Sequence, residues 1–248
     1  MELIDLIIDF HQDALRLGPG SDEETERALS FIDNLNKDAK ILDLGCGTGA
    51  QTMVLAEKTT ARIVAVDLFP QFLGKLEEKI QGRNLETRIK IEKGSMLELP
   101  YHDQEFDVIW AEGSIYNMGF AKGLQEWKRL LKPGGYMAVS EISWLTATRP
   151  TEVEEYWTKN YAEIDTISNK IKVIEESGYL PVAHFVLPED CWVENYYQPI
   201  LERSEAFVQK YNYQEEVRAF IEAGRQEADV YARFKDYYSY VFYIIKKM

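Results

Sequence analysis

Two hydrophobic rhythms alternate along this chain. Short, nearly continuous apolar runs occur at 40–44, 62–66, 88–92, 106–110 and 135–142. Between them, at 50–58, 70–81 and 119–131, apolar residues recur three and four apart. The first rhythm suits buried strands and the second suits helices with one apolar face. Strand and helix in alternation predict right-handed crossovers and a parallel, doubly wound α/β sheet with helices on both faces. Such sheets take ligands beyond the carboxyl ends of their strands. Asp43, Asp67, Ser95, Glu112 and Glu141 all fall at or just past those ends.

The flanks read differently. Leu3, Leu6, Ile7 and Phe10 lie at helical spacing, predicting an amphipathic helix over 2–16 that Gly18-Pro19-Gly20 breaks. Ser21 then opens a second helix, with Glu24 completing a capping box and Leu29, Ile32 and Leu35 forming its apolar face. Beyond 145 the chain becomes more helical. One or two helices are expected over 151–177, ending at Gly178, and two more over 189–235. His184 to Leu187 reads as a strand, and Tyr238 to Ile245 as a β-rich final one.

Composition narrows the function classes. A length of 248 residues suffices for one large domain. The formal net charge of −14 opposes nucleic-acid binding, which draws on neutralised phosphates. No run of about 18 apolar residues exists, so no membrane span is expected. The start, Met1-Glu2-Leu3-Ile4-Asp5, is acidic and lacks the basic region of a secretory signal. Cys46 and Cys191 are far apart and suggest neither a disulfide framework nor zinc spacing, so a reducing cytoplasm is the expected location. His11, His102 and His184 are scattered, and no metal site is expected. No Gly-x-Ser-x-Gly nucleophile turn appears, since Gly113-Ser114-Ile115-Tyr116 does not fit it.

The most informative segment is Ile41-Leu42-Asp43-Leu44-Gly45-Cys46-Gly47-Thr48-Gly49-Ala50. An apolar strand meets an acid, then a glycine-rich turn, then a helix start. Glycine lets backbone approach a ligand closely, and a helix start offers free N–H groups to an anionic group. Gly45-x-Gly47-x-x-Ala50 fits the dinucleotide fingerprint, and Asp67, 22 residues after Gly45, suits a ribose-binding acid. The glycine spacing therefore leaves a nicotinamide dinucleotide and S-adenosylmethionine both open. Asp43 favours the second, because a carboxylate beside the turn repels a pyrophosphate and attracts an ammonium or sulfonium. Its alternative role is a cap on the turn.

At these residues the chain resembles the class I S-adenosylmethionine-dependent methyltransferases, and within them the ubiquinone/menaquinone-biosynthesis type. The matching residues are Leu42 to Gly49, Val66-Asp67, Gly94-Ser95-Met96, Phe106-Asp107-Val108-Ile109-Trp110 and Leu131-Lys132-Pro133-Gly134-Gly135. Order and spacing agree over about 38–145, with Ser95 standing where the family commonly has Asp. The resemblance implies a seven-stranded, Rossmann-like sheet with the last strand antiparallel. It also implies one methyltransferase domain over 1–248, S-adenosyl-L-methionine as cofactor and a small-molecule methyl acceptor. The expected organisation is a helical lid over 1–36, a cofactor-binding core over 37–145, and the rest of the sheet over 146–248 with a substrate cap at 188–236. A monomer or homodimer is expected.

Candidate cofactor residues are then Asp43, Gly45, Cys46, Gly47, Asp67 for the ribose, Leu68, Ser95 and Met96 for the adenine, and Glu112 for the methionine end. Candidate catalytic residues are Glu112, Tyr116 and Glu141. Candidate substrate residues are Tyr116, Trp144, Trp192 and Tyr197. Each has a plainer alternative: Glu112 as a cap, and Tyr116, Trp144, Trp192 and Tyr197 as packed core. Leu131 to Gly135 is expected to be a structural turn into the fifth strand.

Overall fold

The computed structural model describes residues 3–33 and 35–248. Met1, Glu2 and Asn34 lie outside the described residues, and so do the parts of the predicted first helix and lid that fall on them. The chain opens with α1 (Leu3–His11) and α2 (Asp22–Leu29). The alternating core follows as β1 (Lys40–Leu44), α3 (Ala50–Lys58), β2 (Arg62–Asp67), α4 (Pro70–Gln81), β3 (Ile89–Lys93), β4 (Phe106–Glu112), α5 (Phe120–Trp127) and β5 (Leu131–Trp144). The remainder is α6 (Thr151–Asn160), β6 (Asp165–Thr166), α7 (Ile167–Glu176), β7 (Tyr179–Val186), α8 (Glu189–Trp192), α9 (Gln198–Lys210), α10 (Glu215–Phe234) and β8 (Tyr238–Lys247). A π-helical stretch, Val193–Tyr197, joins α8 to α9.

The sheet order is β3-β2-β1-β4-β5-β8-β7, with the two-residue β6 added beside β5. β8 runs antiparallel to both β5 and β7, as the resemblance implied for the last strand. Strand order reverses between β1 and β4, which makes a crevice at their carboxyl ends. Alternate strand residues feed two cores. Ile41, Ile63, Ala65, Val108 and Trp110 face a layer that includes α3 and α4, whereas Leu42, Leu44, Ile109, Ala111 and Val139 face α5 and α7. The period-two alternation of a pleated strand produces this division.

Several expectations change. The second helix ends at Leu29, leaving Ile32 and Leu35 beyond it, and 189–235 holds α8, α9 and α10 rather than two helices. The first helix stops at His11 rather than reaching 16, because residues 12–20 leave the helical path to cover the crevice. Leu131 to Gly135 is not a turn before the strand but lies within β5, where the register against β4 slips and Gly134 adopts φ +73°. The strand expected at His184 begins earlier, at Tyr179. α1 packs away from the sheet: Leu6 and Phe10 join Ile200, Phe207, Val217 and Ile221 of α9 and α10 in a separate cluster. Asp9 secures it by accepting from Lys210 Nζ (2.6 Å) and Tyr211 Oη (2.6 Å).

Candidate active site

β1 turns into α3 through three glycines with positive φ: Gly45 (+73°), Gly47 (+54°) and Gly49 (+87°). A side chain in that conformation costs about 1–2 kcal/mol per residue, and space is short as well. A Cβ on Gly45 would lie 2.6 Å from Ser114 Cβ, and one on Gly49 2.3 Å from Leu76 Cδ1. Gly45 and Cys46 both donate their N–H to Val66 O, which fixes the turn against the end of β2. The Cys46 side chain is buried, and burial pushes its thiol well above the ordinary range, so its part in the turn is through the backbone.

Asp67 ends β2 and ties two turns together. One oxygen accepts from Gly47 N (2.9 Å) and the other from Phe69 N (3.0 Å). Burial raises its carboxyl, opposed by these backbone donors. Leu68 beside it is 52% exposed, and Met96 brings its methyl to 3.4 Å from the Cβ position of Gly45. Ser95 accepts from Leu97 N (3.2 Å), and Met96 O accepts from Trp127 Nε1 (3.1 Å), so this loop is held from within. The sequence candidates Gly45, Gly47, Asp67, Leu68, Ser95 and Met96 thus gather at one crevice.

Asp43 differs from its expectation. Its side chain turns inward onto the first turn of α3 and is 0% exposed. Thr52 Oγ1 donates to one oxygen (2.5 Å) and Gln51 Nε2 to the other (3.2 Å). Burial pushes its carboxyl up to about 7, against those two hydrogen bonds and with added repulsion from Glu112 and Asp67. Asp43 therefore holds the first turn of α3 and presents no oxygen at the surface. Gln51 and Thr52 were absent from the sequence candidates. Their signal was available, since the first turn of the helix after such a loop must lie over the strand that precedes it.

The turn after β4 forms the other wall. Ser114 Oγ donates to Leu44 O (2.7 Å), joining the turns of β4 and β1. One Glu112 oxygen accepts from Thr25 Oγ1 (2.7 Å) and Trp110 Nε1 (2.9 Å), the other from Arg16 Nη1 (3.1 Å). Arg16 also reaches Asp22 (2.8 Å). Next to it, Leu17 lies over the glycine turn, 2.6 Å from where a Cβ on Gly47 would stand, and Thr48 Oγ1 donates to Ala14 O (3.1 Å). Residues 14–17 therefore cover the crevice. Nothing local in the sequence marks Arg16 or Thr25, whose partner Glu112 is 96 and 87 residues away.

Toward β5 and β8 the walls are aromatic. Tyr116 is 45% exposed and edge-on to Tyr161, with ring centroids 6.2 Å apart. Glu141 is 0% exposed, and its Oε1 accepts from Lys170 Nζ (2.8 Å) and Tyr161 Oη (2.6 Å). That pairing corrects the image of Glu141 as an open base. Trp144 takes the packed placement, under the Arg149 guanidinium (4.2 Å) and edge-on to Tyr238. Trp192 is buried as well, stacked on Tyr231 (4.5 Å) and Tyr240 (5.3 Å), with its N–H donated to Ser239 (2.9 Å). Both tryptophans back the aromatic wall rather than line it. Tyr197 is buried and donates to Glu227 (3.0 Å), a carboxylate the sequence reading missed. Among the described residues no group of three or more His, Cys, Asp or Glu is placed to hold a metal.

A family profile described as a methyltransferase domain matches residues 35–212. Methyltransferase GfsG of Streptomyces halstedii is 29% identical over 65% of this chain and 60% of its own length. Demethylmenaquinone methyltransferase of Lactobacillus johnsonii is 35% identical over 41% of this chain and 43% of its own. The chain thus matches no more than about 60% of the length of these relatives. Among solved structures, an S-adenosylmethionine-dependent methyltransferase from Geobacter sulfurreducens, in complex with S-adenosyl-L-homocysteine, superposes with a TM-score of 0.83. It is 17% identical and covers 98% of each chain, so the likeness is one of fold.

Proposed function

This chain belongs to the methyltransferase-domain family, and we propose that it transfers a methyl group from S-adenosyl-L-methionine to a small-molecule acceptor. The observation that carries this is the crevice where strand order reverses, walled by a glycine turn that admits no side chain and by Asp67 at the end of β2. The fit is chemical. The start of α3 offers N–H groups to a carboxylate, Asp67 suits two ribose hydroxyls, and Leu68, Ser95 and Met96 suit a flat adenine. The field of Asp43 favours the cationic end, and Glu112 adds to it once the segment carrying Arg16 opens. When bound, the cofactor supplies a methyl group already activated on a sulfonium. The residues of this chain then position the acceptor in line with it and exclude water, which supplies much of the acceleration. Buried, unpaired cysteines suit a reducing cytoplasm, and a monomer or homodimer is the expected working form. Among the described residues no helix is long and apolar enough to cross a membrane.

Calorimetry tests the cofactor assignment. S-adenosylmethionine and S-adenosylhomocysteine should bind, and NAD and NADP should not. Asp67→Ala should weaken binding by about 1–3 kcal/mol, the range for charged hydrogen bonds. Unchanged affinity in a folded Asp67→Ala protein removes the ribose role. Binding of NAD alone favours an oxidoreductase, and cofactor binding without turnover across an acceptor panel favours a non-catalytic module.

The segment over the crevice supports a lid within residues 1–36, working with a cap at 188–236. Leu17 and Arg16 sit where access must open, and α1 is fastened to α9 and α10, so lid and cap move together. Loops that close an active site exclude water from the reaction. Amide hydrogen exchange over residues 10–25 should slow when S-adenosylhomocysteine is added. Equal exchange with and without it makes the segment fixed scaffold.

A further inference from the structure

We propose that the methyl acceptor is an organic cation, an amine in its ammonium form, held by tyrosine faces and by Glu227 between the cap and the sheet. This rests on the methyl-transfer reading and names its substrate class. Four tyrosines from separate segments keep partial access there: Tyr116 after β4, Tyr161 after α6, Tyr196 on the π-helical stretch, and Tyr240 on β8. Their placement is fixed from behind. Tyr116 meets Tyr161 at 6.2 Å, Tyr240 stacks on Trp192 at 5.3 Å, and Tyr196 lies 5.1 Å from Tyr197, whose hydroxyl holds Glu227. The Tyr240 hydroxyl stands 3.9 Å from where a Cβ on Gly113 would be. That puts the ring set beside the turn that follows Glu112, on the methyl-transfer side.

The balance of charge points to a cation. Glu112 is paired with Arg16 and Glu141 with Lys170. Glu227 has no basic partner among the described residues and takes only the neutral hydrogen bond of Tyr197. Burial raises its carboxyl, and its charge is felt at Tyr116, Tyr156, Tyr196 and Tyr240, whose phenols burial also raises. Those phenols stay neutral. The Arg203 guanidinium, whose charge reaches Tyr196, lies over the Phe10 ring (4.6 Å) and against His11. A half-buried carboxylate with no cation beside it favours a cationic neighbour, and tyrosine faces attract ammonium groups. A neutral hydroxyl acceptor would leave Glu227 uncompensated. For reaction, the ammonium passes one proton to Glu227 and on to water. The freed nitrogen lone pair then forms the N–C bond as the S–C bond breaks, with that electron pair remaining on sulfur.

The test is calorimetry on the full chain saturated with S-adenosylhomocysteine, using choline and its neutral isostere 3,3-dimethyl-1-butanol as probes. Choline should bind roughly tenfold more tightly than the isostere. Glu227→Gln should bring the two affinities close together without changing S-adenosylhomocysteine affinity. Tyr116→Leu, at a half-exposed position that tolerates change, should weaken choline several-fold and leave the isostere alone. Equal affinities, preference for the isostere, or binding of neither probe overturns the cationic acceptor while the methyl-transfer reading stands. Failure of S-adenosylhomocysteine to bind overturns both.

Discussion

Asp43 and Glu141 sit at the carboxyl ends of β1 and β5, both fully buried, and the protein compensates them in different ways. Asp43 is met by two neutral donors, Gln51 and Thr52, from the helix that directly follows it. Glu141 is met by the ammonium of Lys170 and the hydroxyl of Tyr161, brought in from 29 and 20 residues away. Neutral donors leave a buried negative charge that only a proton or a nearby cation can relieve, and Asp43 accordingly titrates near 7. An internal lysine offsets part of what burial costs Glu141, and makes the region depend on both partners. The end of β1 thus keeps a buried carboxyl with no counter-ion bonded to it, while Glu141 carries its own.

Removing one partner should break the second arrangement most severely. Lys170→Met leaves Glu141 buried with an uncompensated charge, and halving a buried pair costs about 3–5 kcal/mol. For a chain of this size that lowers the melting temperature by roughly 6–20 °C. Replacing both partners, Lys170→Met with Glu141→Leu, should recover most of the loss, because a buried pair contributes little beyond its apolar replacement. Thermal unfolding at pH 7 of the wild type, the single and the double variants decides this. A single variant within about 3 °C of the wild type shows that Glu141 accommodates its charge without Lys170.

The same contrast explains what could be read in advance. The helices over 50–58 and 70–81 and the strand over 40–44 emerge with their expected ends, because each is set by local periodicity and by glycines or a proline at its boundary. Asp67, Leu68, Ser95 and Met96 converge because each ends or follows a strand of one doubly wound sheet, and the period of that sheet is written in the chain. Arg16, Thr25, Lys170 and Glu227 were invisible, since their roles arise only when segments far apart in sequence pack together. Trp144 and Trp192 show the converse. A large aromatic near a strand end has the composition of a pocket wall, and only burial against Arg149, Tyr231 and Tyr238 shows it packed. The first helix was overrun for a related reason: Ala14, Arg16 and Leu17 are needed on the crevice, and tertiary contacts outweigh helix propensity there.

A smaller effect sharpens the comparison from the side of Asp43. Its folded carboxyl is raised to about 7, so between the unfolded value near 4 and that point the native state holds more of the proton than the unfolded chain. The stability it contributes is therefore fully present below about pH 4, falls as pH rises through the window, and is gone above about pH 7. The slope from one group is at most about 1.4 kcal/mol per pH unit, or a few degrees in melting temperature. Asp67, Glu141 and Glu227 are raised too and add the same sign to the wild type, so the diagnostic quantity is a difference between proteins. Asp43→Asn keeps the shape and can still bond Thr52 and Gln51, but has no proton to lose. Measured against the wild type, it should gain stability steadily from pH 5 to pH 7 and then level off. A difference that stays flat over that range would place the charge of Asp43 in a better-compensated setting than its two neutral donors provide, and would remove the contrast with Glu141.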